Sequence, residues 1–226
     1  DIKKSDVVYI QYLFHYTVLF SLLFSMLQNK KVFICPRGSL AIWGMNYKLQ
    51  YVKKLWVYLF IRPFYKSVIW QASSYLEEED IKRNFLKAKV EIINDGVDFD
   101  SFQDFQKISK ELLLYKFTKQ KFETVPDLFF SMGRLHKIKG FDVLIDAFSK
   151  FSEKNINAKL LIAGGDDGEK EHLEQKISKL RISNSVFLIG EIGFIDKKLL
   201  LNNCDYFTLA SEFESFGIVV AEALAC

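Results

Sequence analysis

Two glutamates, Glu214 and Glu222, stand with seven residues between them near the end of a 226-residue chain, the second set among Ala221, Ala223 and Ala225. A carboxylate flanked by small side chains can accept hydrogen bonds from sugar hydroxyls. The stretch Phe216-Gly217-Ile218 between them reads as the start of a helix, where backbone N–H groups meet an anion. Glu222 falls about six residues into that helix, roughly 9 Å along its axis. The plain alternative makes Glu214 an N-terminal helix charge and leaves Glu222 facing solvent. A solvated stripe would carry more than one charge, and this helix is otherwise apolar.

A second group of residues precedes the amphipathic helix expected over Phe141 to Phe151: Gly133-Arg134-Leu135-His136-Lys137-Ile138-Lys139-Gly140. The glycines let backbone approach an anion, Arg134 presents a planar fork and Lys139 a point charge, a pair suited to a diphosphate. The competing reading is a basic surface loop. Metal chemistry finds less support. Asp98-Phe99-Asp100 spells D-x-D but sits in an expected linker and reads as a turn. His15 suits helix packing, and His136 and His172 suit loop surface. Cys35, Cys204 and Cys226 are odd in number and lack any C-x-x-C pair, which disfavours a disulfide framework or a zinc knuckle and suits a reducing compartment.

These residues need a scaffold. Strand patterns recur at Val7 to Ile10, Lys31 to Cys35, Val68 to Gln71, Val90 to Ile93, Asp127 to Ser131, Lys159 to Ala163, Val186 to Ile189 and Tyr206 to Leu209, with helical patterns between them. That alternation predicts parallel α/β sheets, whose ligands bind at the carboxyl ends of the strands. Asn94-Asp95-Gly96 is a turn signal, and Phe99 to Thr124 is mixed and charged. The expected organisation is therefore two Rossmann-like domains, 1–98 and 125–226, joined by a linker at 99–124.

Charge narrows the partners. Lys and Arg number 31 against 28 Asp and Glu, a net +3 that is too weak to argue for nucleic acid. Its distribution is uneven: no carboxylate lies between Asp6 and Glu77, where Lys30, Lys31, Arg37, Lys48, Lys53, Lys54, Arg62 and Lys66 alternate with aromatic residues. A basic, aromatic helix over Lys48 to Lys66 fits an anionic membrane surface, or else an ordinary solvated face. Val7 to Leu27 carries no formal charge, but a strand followed by a helix accounts for it better than a membrane span. The first residue is Asp1 and the last residues read as a helix cut short, so the chain is expected to be an internal piece.

Taken together, Gly133-Arg134-Leu135 with Lys139-Gly140, Phe141 to Phe148, Leu160-Leu161-Ile162-Ala163-Gly164, Val186 to Gly190 and the Glu214/Glu222 pair resemble the group 1 (family 4) retaining glycosyltransferases of the GT-B fold. Pro36-Arg37-Gly38-Ser39-Leu40 and Asp95-Gly96-Val97-Asp98 resemble family elements too, so the similarity covers nearly the whole chain. The resemblance implies two Rossmann-like parallel-sheet domains, both incomplete here, and transfer of a sugar from a nucleotide-sugar donor to a saccharide or lipid-linked acceptor with retained configuration. Cell-surface polysaccharide synthesis on the cytoplasmic face of the membrane is the implied setting. Arg134 and Lys139 would hold the diphosphate, Glu214 would face the transferred sugar and Glu222 would bind the ribose. Gly133, the amides of Phe216, Gly217 and Ile218, and the Gly190-Glu191 loop would complete the donor site, with no metal or other cofactor. Arg37 and Gly38 are the acceptor-side candidates; Arg37 stands where some members carry His, as Gln11 also does, and Ala210 stands where Pro is common. The truncated chain by itself is expected to be inactive. Two other readings are a sugar-nucleotide 2-epimerase, which would show more catalytic acids and histidines, and a non-catalytic binding module.

Overall fold

A computed structural model describes residues 2–103 and 108–226. It divides into two compact units, one of Asp1–Gly96 with Glu214–Phe216, the other of Val97–Phe213 with Gly217–Cys226.

In the first unit, β1 (Val7–Gln11), β2 (Lys31–Cys35), β3 (Ile69–Ala72) and β4 (Lys89–Ile92) form a parallel sheet in sequence order, each strand in register with the next. The uncharged stretch Val7 to Leu27 is divided between β1 and the twelve-residue helix α1 (Tyr16–Leu27). His15 ends the strand-to-helix turn by accepting the Thr17 N–H at its Nδ1. It is thus an exposed helix cap where helix packing was expected, because an imidazole can satisfy one of the orphan N–H groups at a helix start. No helix among the described residues is long and apolar enough to cross a membrane. Beyond β2 the chain forms α2 (Ile42–Asn46) and α3 (Gln50–Trp56), the latter running into a π-helical turn at Val57–Ile61, and α4 (Tyr75–Asn84) joins β3 to β4. Leu13, Val18, Leu22, Ile34, Ile61, Trp70 and Ile81 make the core. Burial of each such side chain stabilises by about 1.5–3 kcal/mol. Trp70 keeps its indole N–H satisfied on the Tyr65 carbonyl at 3.0 Å while stacking on Phe85.

The second unit opens with α5 (Phe99–Gln103) and α6 (Lys110–Thr118). Both lie in the stretch expected to be a linker, of which residues 104–107 fall outside the described residues; Phe102, Leu113 and Leu114 are buried in the core of this unit. Charged neighbours hide that apolar triplet from a reading by composition. The sheet runs β7 (Val186–Gly190), β6 (Lys159–Ala163), β5 (Leu128–Met132), β8 (Tyr206–Phe207), all parallel. Every residue of β6 is buried, as befits a central strand covered on both faces. One face packs under α7 (Phe141–Lys154) and α8 (Lys170–Lys179), whose Phe141, Ile145, Phe148, Leu173 and Ile177 are spaced to line up along one side. The other carries α6, α9 (Phe194–Asn203) and residues Ala223 and Ala225 in and just after α10 (Ile218–Leu224).

Candidate functional site

The carboxyl edge of the second sheet is built from glycines that let three loops touch. Gly133, following β5, donates to the Ala163 carbonyl at 3.0 Å, and Gly164, following β6, donates to the Gly190 carbonyl at 2.8 Å. A Cβ on Gly164 would lie 1.8 Å from the Gly133 carbonyl oxygen, so no other residue fits there without moving backbone. Gly140, at φ 62°, would place a Cβ 2.1 Å from the Ala210 carbonyl oxygen. The loop after β5 therefore lies against the loop after β8, and Glu212 N–H donates to the Ile138 carbonyl at 2.9 Å to hold the two together.

On this seam stand the cations. The Lys139 stem lies along Gly133, its Cδ 3.4 Å from where a Cβ would be. Lys139 sits in a single 3-10 turn, Lys137–Lys139, capped by His136, whose Nδ1 accepts the Ile138 N–H at 3.2 Å. Arg134 is exposed and pairs with Asp167 at 2.5 Å. Asp167 was not read from the sequence as a partner; its loop is tied back by the Leu135 N–H to Gly165 carbonyl bond and by Asp166, which accepts from Gly168 and Lys170 N–H. Those donors hold the Asp166 carboxyl below its usual range. Gly190 takes φ 75°, and the Glu191 carboxylate lies beside Gly165.

Helix α10 begins at Ile218, two residues later than the start expected at Phe216. Gly217 adopts φ 75° and cannot belong to a right-handed helix. Glu222 is half-buried and bonded to Lys197 of α9, Nζ to Oε1 2.5 Å. Gly133, Arg134, Lys139, Gly190, Glu191, Gly217, Ile218 and Glu222 thus share the second unit, whereas Glu214 and Phe216 fall in the tripeptide grouped with the first. Lys197 was also absent from the sequence-based candidates. Spacing links it to nothing, since its partner is on another helix.

In the first unit, Arg37 and Gly38 follow β2 with φ of 51° and 75°. A non-glycine residue in that region stores on the order of 1 kcal/mol or more. Two contacts hold it: Arg37 is salt-bridged to Asp95, and the Gly38 N–H donates to Glu77 Oε1 at 2.7 Å. Glu77 is fully buried, and its Oε2 accepts from Ser73 N–H at 2.8 Å and Ser73 Oγ at 2.6 Å. The Asp95 carboxylate raises the Arg37 guanidinium pKa above its ordinary value. Asn94 completes the arrangement by donating to the Ser73 carbonyl at 2.9 Å, so the loops after β2, β3 and β4 are knitted by side chains. Of these residues the sequence points to Arg37 and Gly38 as acceptor-side candidates and to Asn94 and Asp95 as part of a turn, whereas nothing in it marks Ser73 or Glu77.

Among the described residues no group of three or more His, Cys, Asp or Glu is placed to hold a metal ion. Asp98 of the D-x-D accepts the Ser101 N–H at the start of α5.

Two four-stranded parallel sheets flanked by helices, the second with a glycine-built carboxyl edge, make up the GT-B fold. The Anabaena protein HepE in complex with UDP-glucose superposes with a TM-score of 0.74, covering 99% of this chain and 58% of that one at 20% identity. The chain belongs to the glycosyl transferases group 1 family, whose model matches residues 115–226. It is 35% identical over 141 residues to an uncharacterized glycosyltransferase of Methanocaldococcus jannaschii, 62% of this chain and 32% of that protein. It is 31% identical over 150 residues to a Campylobacter jejuni N-acetylgalactosaminyltransferase acting on a diphospho-undecaprenol-linked saccharide, 66% of this chain and 36% of that protein. The chain spans about a third of the length of these curated relatives.

Proposed function

We propose that the chain forms the core of a retaining glycosyltransferase that moves a sugar from a nucleoside-diphosphate sugar to a saccharide or lipid-linked acceptor. The observation that carries this reading is the glycine seam at the carboxyl edge of β5, β6 and β7, which brings backbone close together beneath Arg134 and Lys139. Breaking the anomeric bond leaves negative charge on the diphosphate, and fixed cations at that position contribute most to lowering the barrier. Arg134 and Lys139 stabilise the leaving group, Glu222 accepts from the ribose, and Glu214 faces the transferred sugar. The amides of Phe216, Gly217 and Ile218 meet sugar or phosphate, and Gly190 and Glu191 border the base. Arg37 and Gly38 face the acceptor side. The leaving phosphate itself takes the acceptor proton, so the reading requires no metal and no enzyme nucleophile.

The acceptor side of this proposal includes an anionic membrane surface on the cytoplasmic face. Tyr51, Val52, Leu55, Tyr58 and Leu59 are exposed on α3 and the π turn, with exposed Lys48, Lys54, Arg62 and Lys66 nearby in sequence. Lys48, Arg62 and Lys66 each lie over a neighbouring tyrosine ring. Lys53 takes no part, because its Nζ is spent on the Gly44 and Tyr47 carbonyls at 2.7 and 2.6 Å. The test is a panel of nucleotide sugars read by thermal shift on the intact protein, followed by transfer assays with the stabilising donor. Selective stabilisation and acceptor-dependent transfer are expected. Donor isomerisation without any acceptor would instead identify an epimerase, and stabilisation by none of the donors would remove the donor site.

A further inference from the structure

We infer that Lys197 is a positioning residue that sets the selectivity of the nucleotide site for ribose by fixing the Glu222 carboxylate. The inference rests on the proposed donor site. Glu222 sits on a short apolar helix, and its side chain is 12% exposed. In that setting a carboxylate needs a partner, because an unpaired buried charge is costly. Lys197 supplies it from the neighbouring α9, bonding Oε1 at 2.5 Å, and its own side chain is 17% exposed. The ammonium is in turn fenced by Phe102 and Phe194, its Nζ lying 5.7 and 5.2 Å from their ring centroids, and the two rings pack edge to face. Three elements, α5, α9 and α10, therefore meet at this one ion pair.

The consequence lies in how the carboxylate is divided. Lys197 takes Oε1, and among the described residues no hydrogen bond reaches Oε2. With one oxygen pinned, the other is held in a single orientation as an acceptor, and the rotamer freedom that ligand binding would otherwise remove is already lost. A diol presented to Oε2 gains from that preorganisation, whereas a nucleotide lacking ribose hydroxyls gains nothing. Lys197 never touches the ligand in this scheme.

The experiment compares UDP, ADP and GDP with their 2′,3′-dideoxy counterparts, by calorimetry on the intact protein. The parent should bind one ribonucleotide at least about tenfold tighter than its dideoxy form. Lys197→Met should weaken the ribonucleotide alone and bring that ratio close to one, and Lys197→Arg should restore most of it. Glu222→Gln should mimic Lys197→Met, with little further loss in the double variant, because the two residues act as a unit. Where Lys197→Met does not fold, Lys197→Gln replaces it. An unchanged ratio in the charge-removing variants, or equal weakening of both nucleotide forms, would overturn the role of Lys197 while leaving the donor site standing. Binding of none of the three nucleotides by the parent would overturn both.

Discussion

Arg134 reaches Asp167 in the structure, yet the diphosphate of a bound donor would compete for the same guanidinium. Both partners are largely exposed, so their pairing contributes little to stability. Asp167→Ala should therefore leave the melting temperature unchanged and strengthen nucleoside-diphosphate binding by a few-fold, measured by titration calorimetry. Arg134→Ala and Lys139→Ala should act in the opposite direction and chiefly on turnover. Charge on the leaving group grows towards the transition state, so each should cost about 2–4 kcal/mol in kcat with a smaller change in donor affinity. Turnover equal to the parent in steady-state assays would remove them from the site. Glu77 is a different kind of residue. Its removal strands the Gly38 N–H and two Ser73 donors, each costing about 1–3 kcal/mol if left unsatisfied. Glu77→Ala should lower stability by at least ~2 kcal/mol in urea unfolding, and an unchanged midpoint would show that the three loops are held by other means.

At the scale of elements, the seam between the loops after β5, β6 and β8 distinguishes glycines required by contact from those that are not. Gly164→Ala forces a methyl into the Gly133 carbonyl, and the backbone must move. Such overpacking costs about 1–3 kcal/mol and displaces the loop that carries Arg134. At the adjacent Gly165, a Cβ would meet only the Glu191 carboxylate at 3.5 Å, an ordinary contact. Gly165→Ala should fall within about 0.5 kcal/mol of the parent. Thermal melts of the pair check the contrast, and equal melting temperatures would mean that the seam yields more easily than its geometry indicates.

For the whole molecule, two protonation equilibria point to alkaline weakening. Burial pushes the Cys204 thiol from 9.0 up to about 12, and burial with the Cys35 hydrogen bond pushes the Tyr9 phenol from 10.0 up to about 12. The unfolded chain loses these protons first. Their contribution is present below pH 9 and is lost as pH rises from about 9 to 12. Melting temperature should fall across that window, and Cys204→Ala should flatten part of the fall; a flat profile in both proteins would contradict the shifts. The membrane face makes a separate prediction. Vesicle binding should rise with anionic lipid and weaken with salt, since screening acts over about 10 Å at 0.1 M. Lys54→Glu with Arg62→Glu should reduce it, whereas Lys53→Glu should mainly destabilise the turn between α2 and α3. Sedimentation that is indifferent to salt and to the Lys54/Arg62 pair would identify an ordinary solvated face.

What the sequence determined by itself was local and periodic. Apolar runs such as Lys159–Ala163 marked the strands to within two residues, because a strand buried on both faces leaves a short unbroken apolar segment. The Gly-Arg…Lys-Gly loop and the paired glutamates were legible for a related reason: their residue types and spacing lie along one stretch of chain. Tertiary structure decided the rest. Lys197 meets Glu222 across 25 positions, Glu77 meets Gly38 across 39, and Arg37 meets Asp95 across 58. No periodicity encodes such pairs, since they exist only once separate helices and loops are brought to one sheet edge. The same holds for Leu113 and Leu114, whose burial in the second core was hidden by the charged residues around them. Chain sequence specifies which elements form and where backbone can approach backbone; packing alone selects which charges are paired and with which neighbour.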